Sequence, residues 1–506
     1  MDSELKLYPC RMCHPNTVHQ IEARPLVYFM KTRLLRFSTC LCAISMLFGF
    51  AACAEVKPNS LFADNCVLQR GVRVPVWGTA ASGEKITVCF AGQAVSTIAS
   101  NGTWKIWLKS MKASATPQNL IIAGDRICTF TNVFVGDVWV AGDQSNMERQ
   151  LGPRPPQPQI VGWKEAAATA DFPEIREYYV PEHIATAPAA EAGGNWKICS
   201  PATAPEFSAV GFYFARAIHQ AEKVPVGILF SAWGGTMVEA WTSAASLEPV
   251  TDFRGITEAI KNPTNSTSQL VQTNKTPTAP SVLYNAMIAP LQSFPIKGVI
   301  WYQGEANNDR ANQYRELFPL LIADWRKGWD LGDFPFLFVQ IAPFKAMKPE
   351  LREAQFLTLK KSRQTAMVVT TDIGDPNNIH PARKAPVGER LALAARALAY
   401  GEKVEYSGPL FSSLKIKDSK AVISFTHTVG GLVAQGGVLK GFTIAGADGK
   451  FVPAQAEIKG RTVAVWSDEV KSPVSVRYGW ANVPDVNLYN REGLPASPFR
   501  TDIEQQ

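Results

Sequence analysis

The sequence predicts an α/β protein: a parallel sheet flanked by helices, with a β-sandwich-like module at each end. Three observations predict it. Five continuous apolar runs occupy the middle of the chain, at 137–141 (DVWVA), 226–231 (VGILFS), 298–302 (GVIWY), 336–341 (FLFVQI) and 366–371 (AMVVTT). Strands apolar on both sides belong to sheets covered on both faces. Helical spacing separates several of these runs. On either side, short alternating runs broken by Gly, Asn, Ser and Pro read as antiparallel β-structure.

The elements follow in order. Residues 31–54 read KTRLLRFSTCLCAISMLFGFAACA. Lys31, Arg33 and Arg36 form a basic segment, 37–50 an apolar one, and Ala52-Cys53-Ala54 a small-x-small site. That is the anatomy of a secretory signal cut before Glu55, so residues 1–54 are set apart and the protein is expected to be exported, periplasmic or extracellular. The residues before Met30 are polar and unpatterned, so Met30 is the start to expect. Lipid attachment at Cys53 and an uncleaved anchor are the rival readings. Beyond this segment no apolar run has the length of a membrane span.

Residues 55–132 form the first β region, with strand-like runs at 74–80 (VPVWGTA), 85–92 (KITVCFAG), 103–110 (TWKIWLKS) and 119–124 (NLIIAG). The central region, 133–402, holds the five apolar runs. Its helices are signalled by Val210, Phe214, Ala217, Ile218 and Ala221, and by Leu391, Ala394, Ala395 and Leu398 before Gly401. A third, 312–329, contains Pro319, which should weaken or kink one turn. Residues 403–506 return to β-structure, with 420–427, 442–450, 462–467 and 474–480 as strands and Asp448-Gly449 as a hairpin signal.

Composition excludes several function classes. The formal charge of +7 comes from 51 basic and 44 acidic residues, and residues 1–54 carry three of those seven charges. The remainder is too weakly and too evenly charged for nucleic-acid binding. A 46% hydrophobic content is too high for disorder. After cleavage Cys66, Cys89, Cys128 and Cys199 remain, in no zinc spacing. One disulfide and four free thiols both fit that count.

In parallel sheets the active site lies beyond the carboxyl ends of the strands. After the first run comes Gly142-Asp143-Gln144-Ser145-Asn146-Met147-Glu148, after the second Trp233-Gly234-Gly235-Thr236, after the third Gln303-Gly304-Glu305. The fifth is followed by a Pro-flanked loop ending in His380. A hydroxyl, two backbone-exposing glycines, an amide and an imidazole on one edge are the parts of acyl transfer. Of the histidines past the signal, His219 sits in a helical pattern, His427 in the C-terminal β region and His183 in a loop without strand-end context. His380 is therefore the base to expect. Each feature also has a plain structural use, Ser145 as a helix cap, for instance; their shared placement favours chemistry.

These blocks resemble the sialate O-acetylesterase family, a branch of the SGNH hydrolases, whose catalytic unit is a flavodoxin-like parallel sheet. The matching stretches are GDVWVAGDQSNMERQL, VPVGILFSAWGGTMVEAWTS, LYNAMIAPLQSFPIKGVIWYQGEAN, YRELFPLLIADWR and DIGDPNNIHPARKAPVGERLALAARALAYG. The likeness spans roughly residues 58–503. It implies an exported serine esterase that removes O-acetyl groups from sugars, with no metal or organic cofactor. It makes Ser145 the nucleophile and His380 the general base. The oxyanion would be held by the Ser145 amide, the amide of Gly235 or Gly234, and the Gln303 side chain, with Glu305 and Asn146 shaping the shell around it.

Two departures stand out. Asp143 takes the place of a glycine in the family's GQSNM motif. A carboxylate about 6 Å from the oxyanion opposes it by roughly 3 kcal/mol at an effective dielectric of about 20, unless it turns away to pair with Arg149 or Arg154. The acid that commonly lies two or three residues before the histidine is replaced by Asn378 and Asn377. Asp375 is the nearest carboxylate for a third triad member; a Ser-His dyad is the other reading. These departures also motivate a rival class, a non-catalytic glycan-binding protein on the same scaffold. Trp233, Trp241, Trp301 and Tyr302 suit either stacking on sugar rings or the core. Arg149, Arg154, Arg383 and Lys384 are the cations that a sialic acid carboxylate could use; a neutral substrate such as acetylxylan needs none.

Overall fold

The structure, a computed structural model, describes residues 55–261 and 276–502. The expected signal segment and Cys53 lie outside the described residues.

The central strands are β1 (Ile127–Asp143), β2 (Phe172–Tyr179), β3 (Asn195–Cys199), β4 (Val226–Ala232), β5 (Gly298–Tyr302), β6 (Phe336–Val339) and β7 (Thr365–Val368). They are ordered β3-β2-β4-β1-β5-β6-β7. All neighbours run parallel except the edge pair β2 and β3. Chain order reverses at β1: β4 lies on one flank and β5 on the other. That switch point opens a crevice beyond the strand ends, and Ser145 stands directly in it.

The sequence of β1 explains its double role. Its first residues alternate in exposure, and from Val133 onward every residue is buried. The alternating part pairs antiparallel with Ser114–Ala123. The continuous apolar part enters the parallel sheet between β4 and β5. One strand thus crosses residues 132–133 and joins the N-terminal β region to the central sheet. Gly136 permits the crossing, since a Cβ there would lie 2.1 Å from the Pro225 carbonyl oxygen.

Side chains alternate to two cores, one on each sheet face. Trp301 faces the core lined by helices α3 (Ala311–Trp329) and α4 (Pro349–Lys361), and packs edge-on to Trp325 at 5.4 Å. Ile300 and Tyr302 face the opposite core, with α2 (Ala209–Glu222) and α5 (Ala385–Leu398). α1 is the single turn Ser145–Glu148. Ser208 caps α2 by accepting the Gly211 N–H at 3.1 Å. α3 runs through Pro319 without a break.

The C-terminal region has its own core. Leu410–Lys417, Lys420–Thr426, Thr462–Trp466 and Gln455–Lys459 form one antiparallel sheet. A second contains Phe442–Ala445, which turns at Gly449 (φ 69°) to pair with Val452–Pro453. The four described cysteines are free thiols. Burial pushes Cys66 and Cys199 up to about 12, which leaves both unreactive.

A buried cluster anchors the start of the parallel part of β1. The Asp137 carboxylate accepts from Arg70 at 2.8 and 2.9 Å, from Gln69 at 3.1 Å and from the Tyr400 hydroxyl at 2.9 Å. Removing one partner of such a pair strands the other charge. Asp137→Ala is predicted to destabilise the protein by about 3–5 kcal/mol in urea unfolding; a loss below about 1 kcal/mol would mean that the cluster does not anchor the strand.

Candidate active site

β1 ends at Asp143, and the chain turns at once into α1, whose first residue is Ser145. β7 ends at Val368, and the loop after it delivers His380. The two meet: His380 Nε2 lies 2.8 Å from Ser145 Oγ, across 235 positions of sequence. The loop is shaped from within. Asn378 Oδ1 accepts the His380 backbone N–H at 2.8 Å, and Asp375 Oδ1 accepts the Asn377 N–H at 2.8 Å. Asp375 is exposed, and among the described residues no hydrogen bond joins it to the imidazole. It builds the loop and does not reach His380.

Burial lowers the His380 pKa to about 4, and Lys384, Arg149 and Arg154 push the same way. The imidazole is therefore neutral at pH 7 and able to accept a proton. An anionic partner would move it in the opposite direction.

Gly234 and Gly235 follow β4 and line the same pocket as Ser145 and His380, a cavity of about 660 Å³. A Cβ on Gly234 would lie 3.3 Å from Ser145 Cβ and 2.7 Å from Glu148 Oε2, so the backbone runs close against the serine. Gly235 has φ 75° and open space where a Cβ would be. Among the described residues no backbone hydrogen bond engages the N–H groups of Ser145, Gly234 or Gly235. The expected third donor is not brought there. Gln303 is fully buried, and its Nε2 donates to Asn307 Oδ1 at 2.7 Å and to the Thr236 carbonyl at 3.3 Å. Its Oε1 accepts from the Tyr314 hydroxyl at 2.9 Å. Both amide hydrogens are spent inside the protein, so Gln303 braces the loop after β4 instead.

Beneath Ser145 lies a polar chain. Asn146 Nδ2 donates to Glu305 Oε1 at 2.7 Å and to the Ile379 carbonyl at 3.1 Å, and Asn146 Oδ1 accepts from Lys384 Nζ at 2.5 Å. Burial raises Glu305 to about 7 and lowers Lys384 to about 7. Lys384 is thus an internal donor and cannot serve as a surface cation for substrate. Its signal in the sequence was its place four residues after His380, in the same loop.

Asp143 pairs with neither arginine. Arg154 forms an ion pair with Glu148, and Arg149 is buried and donates to the Pro158 carbonyl. Both Asp143 carboxyl oxygens are buried, and among the described residues neither has a hydrogen-bond partner. Burial, with Glu305 nearby, raises this carboxyl well above its ordinary value, which favours the protonated form. A raised carboxyl opposes an oxyanion less than the full anion would. The cost is conformational and polar: φ is 128°, a glycine-type conformation worth about 1–3 kcal/mol of strain in other residues.

Trp241, Trp301 and Tyr302 are core residues, fully buried, while Trp233 reaches the pocket. Glu148, Arg154 and Glu182, which the sequence did not single out as pocket groups acting together, form the wall. Arg383 is spent on the Asp372 carbonyl at 3.0 Å. Among the described residues no cluster of three or more His, Cys, Asp or Glu could hold a metal, and no helix is long and apolar enough to cross a membrane.

Comparison with known proteins defines the class as carboxylic ester hydrolases. The chain is similar to a crystal structure of a carbohydrate acetylesterase from Xanthomonas citri. It superposes with a TM-score of 0.80 at 42% identity, over 89% of this chain and all of that one. Residues 135–397 match the family described as carbohydrate esterase, sialic acid-specific acetylesterase. The sialate O-acetylesterase of Homo sapiens is 30% identical over 492 residues, 85% of this chain and 89% of that protein. That of Rattus norvegicus is 31% identical over 412 residues, 70% and 75% of the two chains. The chain belongs to the sialate O-acetylesterase family.

The raised Asp143 carboxyl has a thermodynamic consequence. The native state keeps a proton that the unfolded chain releases above about pH 3.9. Stability therefore falls as pH rises above that value, by up to about 1.4 kcal/mol per pH unit. Asp143→Gly is predicted to raise the melting temperature, more at pH 7 than at pH 4, and to change turnover at pH 7 by less than tenfold. An equal gain at both pH values would show that the carboxyl is ionised in the native state.

Proposed function

We propose that the protein is an exported O-acetylesterase of carbohydrates that works through an acetyl-enzyme on Ser145, on an SGNH-type catalytic unit. The 2.8 Å contact between Ser145 Oγ and His380 Nε2 in an open pocket carries this reading. Family membership supplies the acetylated sugar as substrate class, and the basic and apolar segments of residues 31–54 support export.

His380 takes the Ser145 proton as Oγ attacks the acetyl carbonyl. The oxyanion is held by the backbone amides of Ser145 and Gly235, each worth about 3–4 kcal/mol. The bond to the sugar oxygen breaks, and the proton on His380 goes to that oxygen. Water then repeats the sequence on the acetyl-enzyme and releases acetate. With no acid on its other nitrogen, His380 depends on the loop from 375 to 384 for its orientation, so the working unit is a Ser-His dyad.

The pocket wall favours a neutral sugar. Arg154 is its cation among the lining residues, and it is committed to Glu148, while Glu182 and Glu305 add acidic groups. A sugar carboxylate would meet these without a free cation.

Ser145→Ala and His380→Ala are each predicted to lower kcat for p-nitrophenyl acetate by 10³-fold or more. A purely sugar-binding protein would show no turnover to lose. Because the base must be neutral, kcat/KM should stay level from pH 8 to about pH 5 and fall only near pH 4, below the 6.5 of a free imidazole. An acid limb near pH 6.5 would contradict the neutralising environment. On natural substrates, kcat/KM should be higher for acetylated xylo-oligosaccharides than for O-acetylated sialic acid. The reverse order would mean that Arg154 leaves Glu148 to bind the carboxylate.

A further inference from the structure

We infer that Lys384 is a positioning residue that latches the base-bearing loop onto the residue next to the nucleophile. This deepens the esterase reading and rests on it. The latch has two strands, and both come from the loop around His380. Lys384 Nζ donates to Asn146 Oδ1 at 2.5 Å, and the Ile379 carbonyl accepts from Asn146 Nδ2 at 3.1 Å. One carboxamide is therefore gripped at both ends by the segment that carries the imidazole. Asn146 adjoins Ser145, and Ile379 adjoins His380. Fixing Asn146 against this loop fixes Oγ against Nε2.

The remaining contacts hold the grip in place. The second Asn146 hydrogen goes to Glu305 Oε1 at 2.7 Å, which fixes the amide's orientation. Lys384 is 1% exposed, sits at the start of α5, and lies 5.0 Å from the centre of the Tyr302 ring. A buried ammonium keeps its place only with a charge or dipoles facing it, and here those are the Asn146 carbonyl, the Tyr302 ring face and Glu305. In a triad, the carboxylate behind the histidine holds the ring in register. Here, among the described residues, the imidazole lacks that partner, and the loop latch takes over the orienting task. Lys384 touches neither substrate nor reacting atoms.

A double-mutant cycle in kcat tests this on the full-length protein with p-nitrophenyl acetate. Lys384→Met should lower kcat 10- to 100-fold with KM changed less than twofold. Asn146→Ala should lower it at least as far. The combined variant should be no worse than Asn146→Ala within about twofold, because the latch is already gone. Circular dichroism and melting curves confirm folding for each. If Lys384→Met does not fold, Lys384→Gln, which keeps a donor without the charge, enters the same cycle and should retain more turnover than Asn146→Ala. Unchanged kcat, or losses that multiply, would overturn the latch. Ser145→Ala run in parallel separates the two claims. If it keeps full activity the esterase reading fails, whereas if it is inactive and Lys384→Met is normal only the latch fails.

Discussion

The contact that organises this molecule is one hydrogen bond, 2.8 Å long, between a serine hydroxyl and an imidazole 235 residues apart. Closing a chain segment of that length by one contact has no chance in an unfolded chain, because loop-closure entropy must first be met elsewhere. The parallel sheet meets it. β1 and β7 are held in register through β5 and β6, and their carboxyl ends open on the same side. Burying Trp139, Trp301 and Trp325 against the sheet faces makes that frame stiff enough to hold two side chains in register.

Around this contact, electrostatics are set by burial more than by pairing. His380 is kept neutral by its surroundings, which suits a base. Burial pushes the Asp143 carboxyl in the same direction, toward its protonated form, which weakens its opposition to an oxyanion from a glycine position. Glu305 and Lys384 both shift towards neutrality, linked through Asn146. Full charge in the pocket wall is carried by the Glu148–Arg154 ion pair, in which each partner offsets the other's field.

Much of the fold was readable because continuous apolar strands leave a strong signal. All five central runs are strands, and α2 and α5 lie where periodicity put them. β2 escaped because its sequence, FPEIREYY, does not look like a buried strand. Arg176 and Glu177 are buried in it nonetheless. Arg176 lies 4.3 Å from the Phe134 ring centre and donates to the carbonyls of Pro173, Asn65 and Asn132, and Glu177 is raised to about 8 by burial. Tertiary partners overrode local polarity there. The meeting of Ser145 and His380 was legible from strand ends and from elimination among the histidines. The engagement of Gln303 was not, since Tyr314 and Asn307 reach it from an adjoining helix and turn, and no spacing announces such a contact. The isolation of Asp375 and the burial of Lys384 likewise depend on where a loop folds back, which the sequence leaves open.

The account stands or falls on whether His380 activates Ser145. Treating the full-length protein with a fluorophosphonate and mapping the adduct by mass spectrometry measures this directly, without assuming any substrate. The predicted result is a single adduct on the peptide containing Ser145, formed at least 100-fold more slowly in His380→Ala. An adduct at another residue, or equal labelling rates in the two proteins, would contradict it.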